Sequence, residues 1–555
     1  MKKLISRVIV VVLVVSSFTG CSKKNEEKSA PDITYTNQAP TQAINSSEYQ
    51  YGVKEEQFNF DSGTSDMTCD ITEESYVPPV EYNNTEEYRS IVENGYQTVK
   101  NNPLSTFSID VDTASYSNVR RMLTDGYYFD KDAVRLEEMI NYFSYDYQEP
   151  SDGEPFSINT ELADCPWNKD SKLLLIGLKG QTVEMPKMPA SNLVFLIDVS
   201  GSMMDYDKLP LVQQAFGLLT EKLTEKDRVS IVTYASGDAV VLEGANGIQK
   251  DKIMNAINNL YASGSTAGSA GIQTAYEIAE KYFIPNGNNR VILATDGDLN
   301  VGITSESGLE QLITEKKESG VYLSVLGFGT QNIKDNKMEI LADKGNGNYS
   351  YIDSIREAKK VLVDEMGATL VTIAEDVKLQ LEFNPKAVRE YRLVGYENRV
   401  LNAEDFEDDT KDAGEIGSGH TVTALYEVVL NDSKKSVPAL KYQPEKEEEV
   451  ESNQNADELL TISIRYKKPG QDSSKLLSKV VLVESLRHRM PKNMNFASAV
   501  AEFGMLLRDS EYKGTASYDG ILEQLRNSDI EGDVYREEFV ELVKLARDRS
   551  CGLYE

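Results

Sequence analysis

Asp198, Ser200 and Ser202 in NLVFLIDVSGSM, Thr266 in ASGSTAG and Asp296 in ATDGD combine two carboxylates with three hydroxyls. Such a hard-oxygen set suits Mg²⁺ or Mn²⁺, and it offers no soft ligand to recruit zinc or copper. Hydroxyls add no charge, so an ion held there stays net positive and can accept a carboxylate from a partner at an open position. No nucleophile or general base accompanies the set. The whole chain has two histidines, His420 and His488, and four cysteines without metal-ligand spacing, which weighs against imidazole chemistry and most zinc sites. Each residue taken singly also suits a bland role. Asp198, Ser200 and Ser202 can cap a helix beginning near Lys208, Thr266 can cap a helix from Ala267, and Asp296 can organise a turn with Gly297.

The elements that must position these residues follow from the hydrophobic pattern. Leu193 to Ile197 is an unbroken apolar run ending at Asp198, the mark of a central parallel strand covered on both faces. Strands predicted at Val229–Tyr234, Val240–Leu242, Val291–Thr295, Leu323–Phe328 and Tyr349–Ile352 alternate with helices at Lys208–Leu223, Lys250–Leu260, Ala267–Phe283, Leu309–Glu318 and Ile355–Thr369. This α/β pattern over residues 190–372 predicts a doubly wound, mostly parallel sheet with the oxygen-bearing loops at its carboxyl ends. Strand-like runs lie on both sides of it: Phe156–Leu162 and Leu173–Leu178 before, Val377–Phe383, Tyr391–Tyr396, His420–Leu430 and Leu459–Tyr466 after. Strands flanking an α/β unit predict one β-sandwich into which the central domain is inserted, with a region at 102–185 and return strands at 373–470. A strand at Phe107–Val111 and helices at Ala114–Leu123 and Val134–Phe143 complete the first region. In its IDVDTAS segment, Asp112 or Thr113 is expected to cap the helix that follows. Residues 471–555 read as helical, with Phe496, Val500, Phe503 and Leu507, then Phe539, Leu542 and Leu545, at helical spacing.

The chain opens with Lys2, Lys3 and Arg7, an apolar run Val8–Val15, and a cysteine at position 21 followed by polar sequence. This resembles a bacterial lipoprotein signal (residues 1–20) that leaves Cys21 lipidated, although Phe18 stands where that pattern usually has leucine. Residues 21–101 are polar and acidic and read as a disordered tether, with a short helix at Tyr88–Val99. Cys69, Cys165 and Cys551 leave room for one disulfide. The net charge of −32 argues against nucleic acid or an anionic membrane surface as the main partner. Membrane contact is expected through the lipid alone, on the extracytoplasmic side.

DVSGS, SGSTAG and TDG, in that order on those elements, resemble the metal-ion-dependent adhesion site of von Willebrand factor type A domains. The resemblance implies that Ser200, Ser202 and Thr266 contact the ion directly and that Asp198 and Asp296 do so directly or through water. PLSTFSIDVDTASYSNVRR, RLEEMINYF, CPWN, GNGNYSYID, FNPKAV, GYENR and DAGEIGSGHTVTALYE extend the likeness to a group of bacterial lipoproteins with such domains. Together these readings imply a surface-tethered, non-enzymatic binding protein of adhesion or receptor type, whose Mg²⁺ or Mn²⁺ is completed by an Asp or Glu of a protein partner. An envelope scaffold with a structural metal site is the alternative. A phosphatase or hydrolase is a third reading, since FLIDVSGS also resembles the first motif of haloacid-dehalogenase enzymes. That chemistry needs a second aspartate at position 200, where Ser200 stands.

Overall fold

The computed structural model describes residues 85–551, apart from 127–128, 152, 185–186, 266–267, 298–305, 331 and 432–456. Cys21, Cys69 and Thr266 lie outside the described residues, as does most of the acidic run before Glu458. Residues 85–96 are extended and lead into β1 (Gln97–Thr98), which pairs antiparallel with Tyr391 and Glu390. The helix expected at Tyr88–Val99 is therefore not formed. Tyr88, Ile91, Val92, Tyr96 and Val99 do recur at helical spacing, but Gly95 interrupts the stripe, and the segment fixes itself by bonds to the body: Glu87 N donates to Ile333 O, and Arg508 holds Glu93 at 2.7 Å. The ordered body accordingly begins before Asn101, well inside the stretch expected to be tether.

There follow β2 (Leu104–Ser108), α1 (Ala114–Asp125), α2 (Leu136–Asn141) and the hairpin β3 (Phe156–Asp164) and β4 (Lys172–Gly180). The central α/β unit runs β5 (Ser191–Asp198), α3 (Leu209–Lys222), β6 (Arg228–Tyr234), β7 (Asp238–Asn246), α4 (Lys250–Asn258), α5 (Gly268–Lys281), β8 (Asn288–Thr295), α6 (Glu306–Lys317), β9 (Tyr322–Phe328), α7 (Asp335–Lys344) and β10 (Tyr349–Ile352). Its sheet has the order β10-β9-β8-β5-β6-β7, parallel except for β7. Every residue of β5 is buried, as its apolar run demands. Strand order reverses between β5 and β8, and at such a switch point the loops leaving two neighbouring strands diverge to open a crevice. The closing helix is not continuous. It is split into α8 (Ile355–Lys359), a π turn at Lys360–Asp364 and α9 (Met366–Leu370), a break that apolar periodicity does not reveal.

The chain then returns through β11 (Thr372–Phe383), β12 (Val388–Val394), β13 (Val400–Leu401), β14 (Gly414–Gly417), β15 (Thr421–Leu430), β16 (Glu458–Lys467), β17 (Lys475–Leu482) and β18 (Leu486–Arg487). Two sheets, β1-β12-β15-β4-β3-β18 and β13-β2-β11-β16-β17, close on one apolar core that includes Phe107, Leu174, Leu381, Tyr426 and Ile462. Strands from before and after the central unit are interleaved: β4 lies between β3 and β15, and β2 pairs with β11. β17 corrects the reading of residues 471–555 as wholly helical. Its Val481 is buried while Leu476 and Val480 are exposed, the period-two pattern of an edge strand.

Helices α10 (Lys492–Leu507), α11 (Tyr518–Leu525) and α12 (Val534–Ser550) pack with α1 and α2, where the rings of Phe143, Phe496, Phe503 and Phe539 meet edge to face. Within this bundle Glu502 is buried and one of its carboxyl oxygens has no hydrogen-bond partner. Burial pushes its pKa up to about 7. A carboxyl raised by folding contributes stability below its ordinary value near 4.5, and that contribution is lost as pH rises through 7. Glu502→Gln is expected to remove that dependence and to stabilise the protein at pH 8 by about 1–3 kcal/mol. Chemical denaturation of both proteins at pH 5.5 and pH 8 checks this.

Two buried arginines and one half-buried arginine fasten the central unit to its flanks. Arg120 of α1 binds Asp353, Glu357 and Glu538; Arg135 binds Glu138, Asp335 and Glu339; Arg399 reaches Asp110, Asp112, Glu339 and Asp343. Asp112 and Thr113 do not cap α1. Asp112 accepts from Tyr349 N at 2.7 Å, and the first turn of α1 is served by Glu138, which accepts from Ser115 N at 2.8 Å. Cys165 is buried, Cys551 is exposed, and both are free thiols.

Candidate metal centre

Asp198 ends β5 fully buried, and its Oδ1 accepts a 2.8 Å hydrogen bond from Ser200 N. A short 3₁₀ turn over Gly201–Met204 folds the chain back and brings Ser202 Oγ to 3.0 Å from Ser200 Oγ. The second loop is fastened to the first through Ser263 N to Val199 O at 2.7 Å and Gly201 N to Gly264 O at 3.0 Å. Thr266 follows within that loop but lies outside the described residues. Asp296, also fully buried, leaves the end of the neighbouring strand β8. Four of the five expected ligands are thus placed on adjacent strand ends at the switch point.

Asp198, Ser200 and Ser202 do not cap the helix after Lys208. The residue preceding α3 is Lys208, with no side-chain cap, and Gly297 N bonds to Thr295 Oγ1 rather than to Asp296. Asp205 is exposed nearby, and Asp298 lies outside the described residues.

One participant was not legible as a site residue. Lys208 is buried, and its ammonium lies 3.0 Å from Asp296 Oδ2 and 3.4 Å from Asn332 Oδ1. A lysine at a helix start reads from sequence as solvated. What buries this one is Gly329, whose φ of +75° lets the chain pass so close that a Cβ there would come within 2.3 Å of Lys208 Cε. Gly297 plays the matching part beside Asp296: its φ is +97°, and a Cβ would meet Lys334 N at 2.7 Å.

The two aspartates are tuned apart. Burial pushes Asp198 up to about 6, with the charge of Asp296 adding to it and hydrogen bonds from Ser200 opposing. Burial acts upward on Asp296 too, but the charge of Lys208 and hydrogen bonds from Asn332 and Ser202 outweigh it and hold the carboxyl below its ordinary value. Metal-free, the centre therefore holds one firmly ionised carboxylate with an internal cation, and one carboxylate whose charge is poorly compensated.

The donors fit a small divalent ion. Two oxygens on adjacent corners of an octahedron with bonds of about 2.1 Å lie about 3.0 Å apart, which is the spacing of the two serine hydroxyls. Asp198, Ser200, Ser202 and Asp296, with Thr266 from the second loop, would hold such an ion, which when bound supplies a positive charge at the protein surface. A second acidic group, Asp110, Glu138 and Glu339, brings carboxylate oxygens within 4.8 Å of one another deep between the modules. There Arg135 and Arg399 already supply the cations, so the group reads as an ion-pair core.

Known proteins resemble this chain over most of its length. The model of the von Willebrand factor type A domain matches residues 192–363, one described as von Willebrand factor matches 82–175, and one described as uncharacterized protein YfbK, C-terminal, matches 368–548. The uncharacterized protein YfbK of Escherichia coli is 43% identical over 472 residues, covering 83% of this chain and 81% of that protein. Calcium-activated chloride channel regulator 1 of Macaca mulatta is 24% identical over 221 residues, 39% of this chain and 22% of that one. Among solved structures, a von Willebrand factor type A protein from Catenulispora acidiphila aligns over 72% of this chain and 91% of its own, with 16% identity and a TM-score of 0.39.

Proposed function

Since the chain belongs to the von Willebrand factor type A family, whose members commonly act through protein–protein contact, we propose that it is a surface-tethered binding protein whose Mg²⁺ or Mn²⁺ receives an Asp or Glu of a protein partner. The observation that carries this reading is the set of oxygen donors converging on two adjacent strand ends. With Lys208 balancing Asp296, a divalent ion leaves the centre with one net positive charge, and a carboxylate is the ligand such a charge selects. The signal-like segment ending at Cys21 supports export and lipid anchoring on the extracytoplasmic side, and an anchored protein would meet its partner in or beyond the cell envelope.

Calorimetric titration of the protein with Mg²⁺ and Mn²⁺ tests the centre: Asp198→Ala is expected to lose the binding, and equal binding by both proteins would sink the assignment. Binding also displaces a proton from Asp198. Affinity should be level above about pH 7 and about tenfold weaker at pH 5, where the proton competes. A titration series from pH 5 to 7.5 reads this directly. Pull-down with and without chelator separates the binding role from scaffolding, for which capture would not depend on metal.

A further inference from the structure

We propose that a cleft beside the metal centre receives a lysine or arginine side chain of the same partner segment whose acidic residue meets the ion. This rests on the binding role given above and adds the second half of the recognition surface.

The cleft has a volume of about 630 Å³, within the range of specific ligand pockets. One wall is the metal-bearing end of the central unit: the loop at Tyr206 and Asp207, and the chain at Gly329 after β9. The facing wall is the end of α1 and one side of α12. Cleft and centre are separated by one side chain. The aliphatic stem of Lys208 lies against Gly329, while its ammonium sits on Asp296. A segment of a few residues can therefore touch both.

Charge decides what fits. Every guanidinium lining the cleft is already engaged: Arg120 by Asp353, Glu357 and Glu538, Arg121 by Glu86, and Arg356 by Glu538. Asp125 and Asp207 also line it; neither is in an ion pair among the described residues, and the charges of Lys208 and Arg121 act on Asp207 from farther off. An anionic side chain would face these two carboxylates with no free cation to meet it. An apolar one would leave Asp125 without a counter-charge and Asp207 with only distant ones. Leu542, Leu545 and the partly exposed Ile355 give apolar wall for an aliphatic stem, and Tyr206, 87% exposed at the mouth, offers a ring face to a cation. A long basic side chain uses all of these features at once. The chain's net charge of −32 draws basic segments toward it from a distance.

The test is an array of immobilised dodecapeptides in Gly/Ser sequence, each with one Asp and one Lys separated by zero to six residues, together with copies in which Lys is Gln or Asp is Asn. It is probed with the full-length protein in Mg²⁺ and in chelator. Wild type is expected to capture Asp/Lys peptides at least tenfold better than their Gln copies, over a narrow range of separations. The double substitution Asp125→Asn with Asp207→Asn should lose that preference while still capturing through Asp in Mg²⁺. Equal capture of Lys and Gln peptides, or a preference that survives the double substitution, overturns the cleft and leaves the metal reading standing. A Lys preference that ignores both chelator and the Asp→Asn copies overturns the metal reading and the coupling of the two. No capture at any separation overturns the proposal.

Discussion

Lys208→Met is expected to make the protein depend on a divalent cation for its stability. The substitution keeps the apolar stem against Gly329 and removes the ammonium from Asp296. Asp296 is fully buried, and breaking a buried pair by deleting one partner costs about 3–5 kcal/mol, because the remaining charge is uncompensated. Asp198, with its own ill-compensated carboxyl, lies close enough to add repulsion. Metal-free Lys208→Met should therefore unfold its central unit about 3 kcal/mol more easily than wild type. A divalent ion would reverse this by restoring two positive charges, and the variant should bind Mg²⁺ about tenfold or more tightly, since the ion no longer competes with an internal cation. Thermal denaturation in chelator and in millimolar Mg²⁺, run on both proteins, reads the two effects separately. A variant as stable as wild type in chelator would show that the ammonium does not stand in for the ion.

The second large effect is predicted for Arg120→Met. Arg120 joins α1 to Asp353 and Glu357 of the central unit and to Glu538 of α12, so one guanidinium ties three modules together. Glu357 is wholly buried, with one carboxyl oxygen lacking a hydrogen-bond partner even in the intact network. Removing the arginine should cost about 3–5 kcal/mol. The loss should appear first as faster hydrogen exchange in α8 and α12, since those are the elements released. Arg120→Met combined with Glu357→Leu should recover part of it, because an apolar pair no longer strands a charge. A change below about 1 kcal/mol in the single variant would mean that apolar packing, rather than this network, docks the helices.

The first loop of the candidate centre was legible in the sequence because its donors are local. Asp198, Ser200 and Ser202 lie within five positions, and the apolar run before them fixes the end of the strand on which they sit. Lys208 and Asn332 were not legible, since their role depends on contacts 88 and 124 residues apart in the chain. The arginine fasteners were hidden for the same reason: Arg120 meets partners 233 to 418 residues away. Residues 85–99 were read as tether because composition reports what a segment can bury by itself and says nothing of a body waiting to receive it. The interruption between α8 and α9 escaped because a π turn displaces a helical stripe by one residue without removing it.

The interleaving of β2 and β4 with strands that return after the central unit sets the order in which the protein can form during synthesis. Thr423 N bonds to Asn141, 282 residues earlier, and Tyr391 to the backbone of Leu104, 287 residues earlier. At about 5–20 residues per second, the first strands emerge some tens of seconds before their partners exist. The central unit, whose strands neighbour one another closely in sequence, can complete itself in that interval. A fragment ending near residue 372 should therefore carry one protease-resistant domain with unfolded sequence before it, and in refolding of the whole chain the earlier segment should gain protection last.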